Sequence, residues 1–567
     1  MSRYFAFLSL AATGLCIRLL ATSMQPTLWL RGVTALLGVI TLFAVRRSMS
    51  RQRVSVDYGS AGFAKTAEMA DLLLPQKTAL PLGGILLGRQ GNSQVVLPLP
   101  STSQHGVIVG GSGTGKSYSF FLPNVAATSD LSCVVTDPKS ELWHFTSGVF
   151  RRATRFAPNE PEASACFNWI PLCRDARIAE LCARAVVEAG ATERQEPPWP
   201  DLEAAFLAAL FAHASTLSVP TPLTAYQLFT RLEPQKLLDA FLMSQSPVAR
   251  EQAILFQQTN ERMRGSIVPV VASKLQCLRD PRVQRFTSAS LAAPDFGRLR
   301  TMPEVLYWCV PEQDMVRLRP LSSLFFSLLL EQLAAEKESA GSFLPVNVFL
   351  DEFANIGVIP HFETTISLAR GRGVRLWLGI QSLSQLETRY GKPAAQTILT
   401  NCSTKMALSG LDVETAQYFS RSLGEKTQAA PRRTWQKKRF ALFATGASDT
   451  VQEHSRWLMT PDEIRRMETD ALLVITGNRR PMKIEKTRYT ASLCSALTTP
   501  LGEALSLPIE FAPPVSLKSS LPSPPPPFPP EMAPERPKPP RPKHATLKFA
   551  ARKSPHASST RTNKMLS

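Results

Sequence analysis

Hydrophobic and polar positions fall into distinct regimes along the 567 residues. Two apolar stretches come first, 4–21 (YFAFLSLAATGLCIRLLA) and 28–45 (LWLRGVTALLGVITLFAV), each near the length that spans a bilayer. Arg18 and Arg31 lie toward the short connector, from which such side chains snorkel outward. Arg46, Arg47, Arg51 and Arg53 follow as a basic cluster of the kind that marks the cytoplasmic side. This pattern predicts a two-helix transmembrane hairpin over 1–50, both ends in the cytoplasm. A cleaved signal peptide is the competing reading, but it leaves the second stretch unexplained.

The next regime consists of short apolar runs closed by turn residues. After a polar approach come PLGGILLGR (81–89) and SQVVLPL (93–99), then Gly106 to Val109, LSCVVTD (131–137), EVLYWCV (304–310) and PVNVFLDE (345–352). GVRLWLGI (373–380), KMALSG (405–410) and ALLVITG (471–477) continue the series. Such runs predict buried strands, and strands alternating with helical segments predict an α/β fold with a parallel sheet. Between residues 174 and 295 the period changes to that of helices, as in IAELCARAVVEAG and LEAAFLAALFAHA, with little strand character. An all-α insert is expected there. A strongly apolar helix is expected over 321–336 and another over 362–369, whereas 429–455, polar and basic, reads as a mobile loop.

Composition adds a tail. From Pro513 onward the chain is rich in proline and carries 10 Lys/Arg against 2 Glu, a mixture that stays extended and disordered. Nucleic acid, acidic lipid, a partner protein or plain solvent are all open as its surroundings. The net charge of +19 favours polyanions or an anionic membrane surface as partners, although part of it sits in this tail. The nine cysteines are scattered, and none pairs as C-x-x-C. Cys166, Cys173 and Cys182 lack a nearby His and metal-ligand spacing, so reduced core cysteines in a cytosolic body are expected.

The candidate chemistry centres on GGSGTGKS: Gly110, Gly111, Ser112, Gly113, Thr114, Gly115, Lys116 and Ser117. It matches the G-x-x-x-x-G-K-[ST] phosphate loop throughout, enters from an apolar strand and leaves toward a helix. Backbone N–H groups of such a loop wrap phosphates closely, which side chains would obstruct. Lys116 is expected on the β- and γ-phosphates of ATP, and the Ser117 hydroxyl on Mg²⁺. The acids that close the strand at 345–352 have the form of a Walker B pair, Asp351 for hydrated Mg²⁺ and Glu352 for the attacking water. Gln381 ends the next strand at the same sheet edge, either sensing the γ-phosphate or serving as an ordinary polar strand end. Asp137 and Lys139 follow another strand, facing the site or merely turning the chain at Pro138. The distance from Lys116 to Asp351 exceeds a plain RecA-like core, which again calls for an insert. The expected fold is therefore α/β: a RecA-like P-loop NTPase domain with an inserted all-α domain, preceded by the transmembrane hairpin. Its parts are 1–50 (hairpin), 51–173 and 296–495 (nucleotide-binding domain), 174–295 (insert) and 496–567 (tail).

Several longer segments carry a resemblance: FLPNV, VVTDPKSELW, FNWIPL (167–172), VFLDEFANIGVIP, SLARGRGVRLWLGIQSLSQL and RWLMTPDEI (456–464). Over about residues 80 to 490 the chain resembles the TraG/TraD-like coupling proteins of conjugative type IV secretion. The resemblance implies an inner-membrane homo-hexamer, multi-pass, with most of the chain in the cytoplasm. It implies an ATPase that receives a relaxase-bound single DNA strand and drives it into the secretion channel. By position it makes Gln381 the glutamine that links nucleotide to DNA, and Arg370 an arginine near the nucleotide at the subunit boundary, with Arg372 a nearby competitor. Two departures stand out: the connector between the membrane stretches is short for this family, and the tail is basic where some members carry an acidic one. A receptor for protein effectors and an FtsK-like DNA translocase are the alternative functions.

Overall fold

The computed structural model describes residues 35–36, 39, 58–76, 78–98, 104–190, 199–259, 261–334, 343–436 and 446–487. The expected hairpin over 1–50 lies outside them except for three positions, as does the tail over 496–567. Among the described residues no helix is long and apolar enough to cross a membrane.

The apolar runs become strands. In chain order these are β1 (Leu73–Pro75), β2 (Ile85–Gln90), β3 (Ser93–Leu97), β4 (Gly106–Val109), β5 (Ser132–Thr136), β6 (Ala153–Phe156), β7 (Val305–Trp308), β8 (Val346–Leu350), β9 (Val374–Ile380), β10 (Thr404–Ala407), β11 (Glu425–Gln436), β12 (Gly446–Trp457), β13 (Ala471–Thr476) and β14 (Met482–Glu485). Twelve of them form one sheet in the order β1-β3-β2-β14-β13-β10-β4-β9-β8-β5-β7-β6. From β10 to β6 all neighbours are parallel, and the inner strands β4, β9, β8, β5 and β7 are buried throughout and mostly apolar. From β10 to β1 all neighbours are antiparallel. The sheet is thus mixed, and β4 and β8 are separated by β9 alone.

Helices connect the parallel strands. A π-turn (Ser117–Phe121) runs into α1 (Leu122–Ala127), and α2 (Glu141–Thr146) follows β5. Between β6 and β7 the described elements longer than one turn are helical: α3 (Ala176–Glu188), α4 (Trp199–Ala214), α5 (Pro222–Arg231), α6 (Pro234–Leu242), α7 (Pro247–Gln258), α8 (Glu261–Lys274) and α9 (Pro281–Ser288). Asp175, Thr221, Ser246 and Asp280 cap α3, α5, α7 and α9, each accepting a backbone N–H of the first turn. Then come α10 (Arg319–Ala334), α11 (Phe362–Gly371), α12 (Leu383–Tyr390), α13 (Lys392–Asn401), α14 (Val413–Leu423) and α15 (Pro461–Arg465).

The helical stretch shares its core with the sheet. Phe325 of α10 stacks on Trp308 at the end of β7 (centroids 4.3 Å apart) and meets Phe167 edge-on at 5.2 Å. Phe167 in turn lies 6.4 Å from Phe286 of α9. These rings are buried, so apolar burial ties the helices to the sheet's edge and holds its parallel half rigid.

One segment departs from the sequence reading. The expected mobile loop over 429–455 lies mostly in β11 and β12, an antiparallel two-stranded ribbon of its own. Its cross-strand partners are largely polar and one position is Pro431, so burial alternation, the usual signature of a strand, is absent from its sequence.

Candidate functional site

Three strand ends meet at the carboxyl edge of the parallel sheet. The chain leaves β4 into the phosphate loop, β8 into Asp351 and Glu352, and β9 into Gln381. Because β9 runs between the other two strands, Gln381 emerges between the loop and the acid pair.

The loop is folded by its own composition. Gly115 has φ 89°, a conformation glycine adopts without cost, and it lets Lys116 start the helix side of the loop. Thr114 closes the turn, its hydroxyl donating to the Gly111 carbonyl at 2.7 Å. Lys116 is 5% exposed and donates from Nζ to the Gly110 carbonyl at 2.7 Å. The same Nζ is 3.6 Å from Glu352 Oε1.

The Walker B pair divides its work. The Ser117 hydroxyl donates to Asp351 Oδ2, which brings together the two oxygen groups expected around Mg²⁺. Thr136 Oγ1 donates to the Asp351 carbonyl at 2.8 Å, fixing the strand end from β5. Asp351 is almost wholly buried, and burial pushes its carboxyl above the usual carboxylate range against the opposing pull of the Ser117 hydrogen bond and the Lys116 charge. This close packing requires Gly379 on β9: a Cβ there would sit 2.9 Å from both Asp351 Oδ1 and the Phe121 ring.

Glu352 occupies the left-handed region with φ 55°, a strained conformation for a residue other than glycine. The turn directs its carboxylate back into the site. Gln381 Nε2 donates to Glu352 Oε2 at 2.9 Å, and Asn355 Nδ2 reaches the same oxygen at 3.3 Å. Gln381 is itself held from α12, its backbone N–H donating to Gln385 Oε1 at 3.3 Å. Lys116, Ser117, Asp351, Glu352 and Gln381 therefore form one connected cluster.

Other candidates lie elsewhere. Asp137 is buried at the end of β5, where its carboxylate accepts the Trp143 N–H at 2.7 Å and so caps α2. Burial pushes this carboxyl up to about 6, against the backbone N–H groups of Trp143, Leu142 and Glu141. Lys139 is exposed and pairs with Glu312 at 3.7 Å. Arg370 ends α11 just before β9 begins, so it stands at the amino edge of the sheet, with the length of β9 between it and Gln381. It is exposed there beside His105, whose own titration it depresses. Arg372 lies two residues further on, also exposed.

Two residues of the site's surroundings carry no sequence signature. Lys486, buried just past β14, donates from Nζ to the Thr114 carbonyl at 2.8 Å and braces the phosphate loop from the antiparallel half of the sheet. Burial pulls its ammonium below the usual lysine range, partly offset by Asp470. His105, at the entry to β4, donates from Nε2 to the Ile366 carbonyl at 2.8 Å and accepts the Leu376 N–H on Nδ1 at 3.0 Å. It thereby fixes α11 and β9 to the phosphate-loop strand. A lone Lys and a lone His have no spacing motif, and their partners are hundreds of residues away.

A mixed sheet with a phosphate loop after one strand and an acid pair after the next strand but one places the fold among the P-loop NTPases. Residues 53–507 match the family described as type IV secretory system conjugative DNA transfer, and the chain belongs to that family. It is 27% identical over 391 residues to the conjugal transfer protein TraG of Escherichia coli, covering 62% of this chain and 60% of TraG. To the protein VirD4 of Rhizobium rhizogenes it is 25% identical over 406 residues, covering 68% of this chain and 58% of VirD4. The match thus spans about three-fifths of the length of these relatives. Among solved structures, the unbound bacterial conjugative coupling protein TrwB superposes with a TM-score of 0.58 at 18% identity, covering 76% of this chain and 95% of that one. TrwB in complex with ADP and Mg²⁺ gives a TM-score of 0.59 at 17% identity, over 76% and 94% of the two chains. At these identities the likeness is one of fold.

Proposed function

We propose that this chain is an inner-membrane ATPase that couples a relaxase-bound single DNA strand to a type IV secretion channel and drives its transfer during conjugation. The observation that carries the reading is the Gln381–Glu352–Lys116 connection, which joins the end of β9 to both halves of a nucleotide site. Family membership supplies the biological setting.

Lys116 would place its charge on the β- and γ-phosphates of ATP, exchanging the Gly110 carbonyl for phosphate oxygen. Ser117 and Asp351 fit Mg²⁺, since a hydroxyl and a carboxylate are the hard oxygen donors it takes. The cation would neutralise charge building on the phosphates. Glu352 would accept a hydrogen bond from the attacking water and draw its proton away. Gln381 holds the Glu352 carboxylate by its amide, so a shift of α12 reaches the catalytic carboxylate through the Gln385 contact. A strand bound against α12 would act on hydrolysis along this path.

Arg370 suits action in trans. Its place at the amino edge keeps it from its own loop, whereas in a homo-hexameric ring it would face the neighbouring subunit's γ-phosphate. The hairpin over 1–50 would anchor the ring in the membrane beside the channel. Lys116→Ala is the test: in a mating assay it should abolish transfer while the protein stays membrane-bound. Transfer at the wild-type level would overturn the motor reading.

A further inference from the structure

We infer that Arg319 and Arg389 form a phosphate clamp for the transported single strand, set on the loop that follows Glu352. The inference rests on the DNA-transfer reading above and names the residues through which a strand would act on the site.

Residues 353–359 run directly from the Walker B pair, and two helices grip them. From α10, the Ser323 hydroxyl donates to the Val358 carbonyl, and Arg319 packs on Gly357, where an added Cβ would lie 3.5 Å from the Cβ of Arg319. From α12, Arg389 Nε donates to the Ala354 carbonyl at 3.2 Å, and the Tyr390 hydroxyl accepts the Ile359 N–H at 3.3 Å. The Tyr390 ring stacks on Phe353 with centroids 5.6 Å apart. Each helix therefore brings one arginine to the same short loop.

These two arginines are alike in lacking a counter-charge. Neither forms an ion pair among the described residues, whereas Arg317, close before Arg319 in the chain, is held by Asp280 at 3.2 Å and Asp314 at 3.0 Å. Both are half-buried, and Arg319 Nε and Arg389 Nη1 are shielded from solvent with no hydrogen-bond partner among the described residues. Arg319 also opens α10, whose first turn contains no acid, so its charge adds to the positive end of a helix. Burial pulls its guanidinium below the usual arginine range, and the charge of Arg389 pulls it further. Like charges brought together and partly desolvated are costly until an anion joins them. Phosphate is the anion that the planar guanidinium fits best, through paired N–H donors.

Position decides which phosphate. Arg389 lies near the end of α12 remote from Gln381, about 9 Å along the axis from Leu383 at roughly 1.5 Å per residue, so the clamp is separate from the subunit's own phosphate loop. The backbone of the transported strand is the polyanion that the motor reading supplies. A phosphate drawn between the arginines would pull on the 353–359 loop, whose Asn355 amide donates to Glu352 Oε2 at 3.3 Å. It would also pull on α12, which reaches Gln381 through Gln385.

The test uses the full chain, a single-stranded oligonucleotide titrated over a series of salt concentrations, and phosphate release with and without that oligonucleotide. Arg319→Gln with Arg389→Gln should weaken binding and flatten its log–log salt slope by about 0.7 for each phosphate no longer neutralised. The same pair should lose most of the stimulation of turnover by DNA. Arg319→Lys with Arg389→Lys keeps both charges and should keep the slope. Arg317→Gln, whose guanidinium is already paired, should bind the oligonucleotide as the wild type does. An unaltered slope in the Gln pair overturns the inference. Equal loss in the Lys pair would make the arginines supports of the loop alone, and equal loss in Arg317→Gln would make the effect one of general charge; either result overturns it. Loss of phosphate release by the Gln pair in the absence of DNA would assign the clamp to a neighbouring subunit's nucleotide, which overturns it too. A wild-type chain that binds no single strand would instead bring down the DNA-transfer reading itself.

Discussion

At the scale of residues, two buried groups of opposite habit make stability depend on pH. Burial pulls His105 from its ordinary 6.5 down to about 4, reinforced by the charge of Arg370 and opposed by the Ile366 hydrogen bond. Between those values the unfolded chain binds the proton and the folded one does not, so stability rises with pH through this window. Asp137 behaves the other way: with its carboxyl raised from 3.8 to about 6, the folded chain holds the extra proton and stability falls as pH rises. Each shift corresponds to about 3 kcal/mol at 1.36 kcal/mol per unit, and the two nearly cancel in the wild type. Denaturant midpoints measured from pH 4 to 6.5 should separate them. Relative to wild type, His105→Gln should lose stability as pH rises across this range, and Asp137→Asn should gain it. Parallel curves for all three proteins would refute both assignments. Neither group is legible in this role from the sequence, which places Asp137 at a strand end, facing the site or turning the chain, and offers nothing about His105.

Elements explain which parts of the fold can be read from the sequence. The parallel strands β4, β5, β7, β8 and β9 are buried on both faces, so each appears as a mostly apolar run, and the ends of β4, β8 and β9 coincide with GGSGTGKS, Asp-Glu and Gln. Helical spacing is equally plain in α3, where small and aliphatic residues recur on one side, while α4 is an apolar run too long for a strand. The antiparallel half is legible only in part: β2, β3 and β13 fall in expected apolar runs, whereas β1 and β14, only 3 and 4 residues long, are too short to stand out. The β11–β12 ribbon reads as a loop because its polar cross-strand pairs leave no burial alternation. The unread β14 matters to the site, since the chain leaving it delivers Lys486 to the Thr114 carbonyl. A charge-assisted hydrogen bond of this kind contributes about 1.5–3 kcal/mol. Lys486→Met should therefore loosen the loop and weaken nucleotide affinity about tenfold, while turnover at saturating ATP changes little. A fluorescent-nucleotide titration checks this, and wild-type affinity would show that Lys486 does no more than fill space.

At the scale of the whole molecule, the role proposed for Arg370 requires a ring. The chain carries its phosphate loop at the carboxyl edge of the sheet and this arginine at the amino edge, so one subunit alone does not unite them. An arginine finger acting across a boundary is worth roughly 10³ to 10⁵ in rate. Arg370→Ala should bind ATP and hydrolyse it poorly. A mixture of Arg370→Ala and Lys116→Ala subunits should recover turnover, because the second supplies the finger that the first lacks. Co-assembly is established by pull-down with two tags, and inactivity of confirmed mixed rings at every ratio would place Arg370 outside the reaction in trans. The sequence suggests the arginine by resemblance, but which edge of the sheet it occupies depends on strand direction and is visible only in the fold.

The central claim is that Glu352 hydrolyses ATP in response to DNA through Gln381. Phosphate release by the purified full chain, measured with and without single-stranded DNA, tests it most directly. The wild type should be stimulated several-fold. Glu352→Gln should bind ATP yet turn over at least ~100-fold more slowly, in line with the loss of a positioned general base. Gln381→Ala should retain basal turnover and lose the stimulation. Turnover indifferent to DNA in the wild type, or near-normal turnover in Glu352→Gln, would contradict the account.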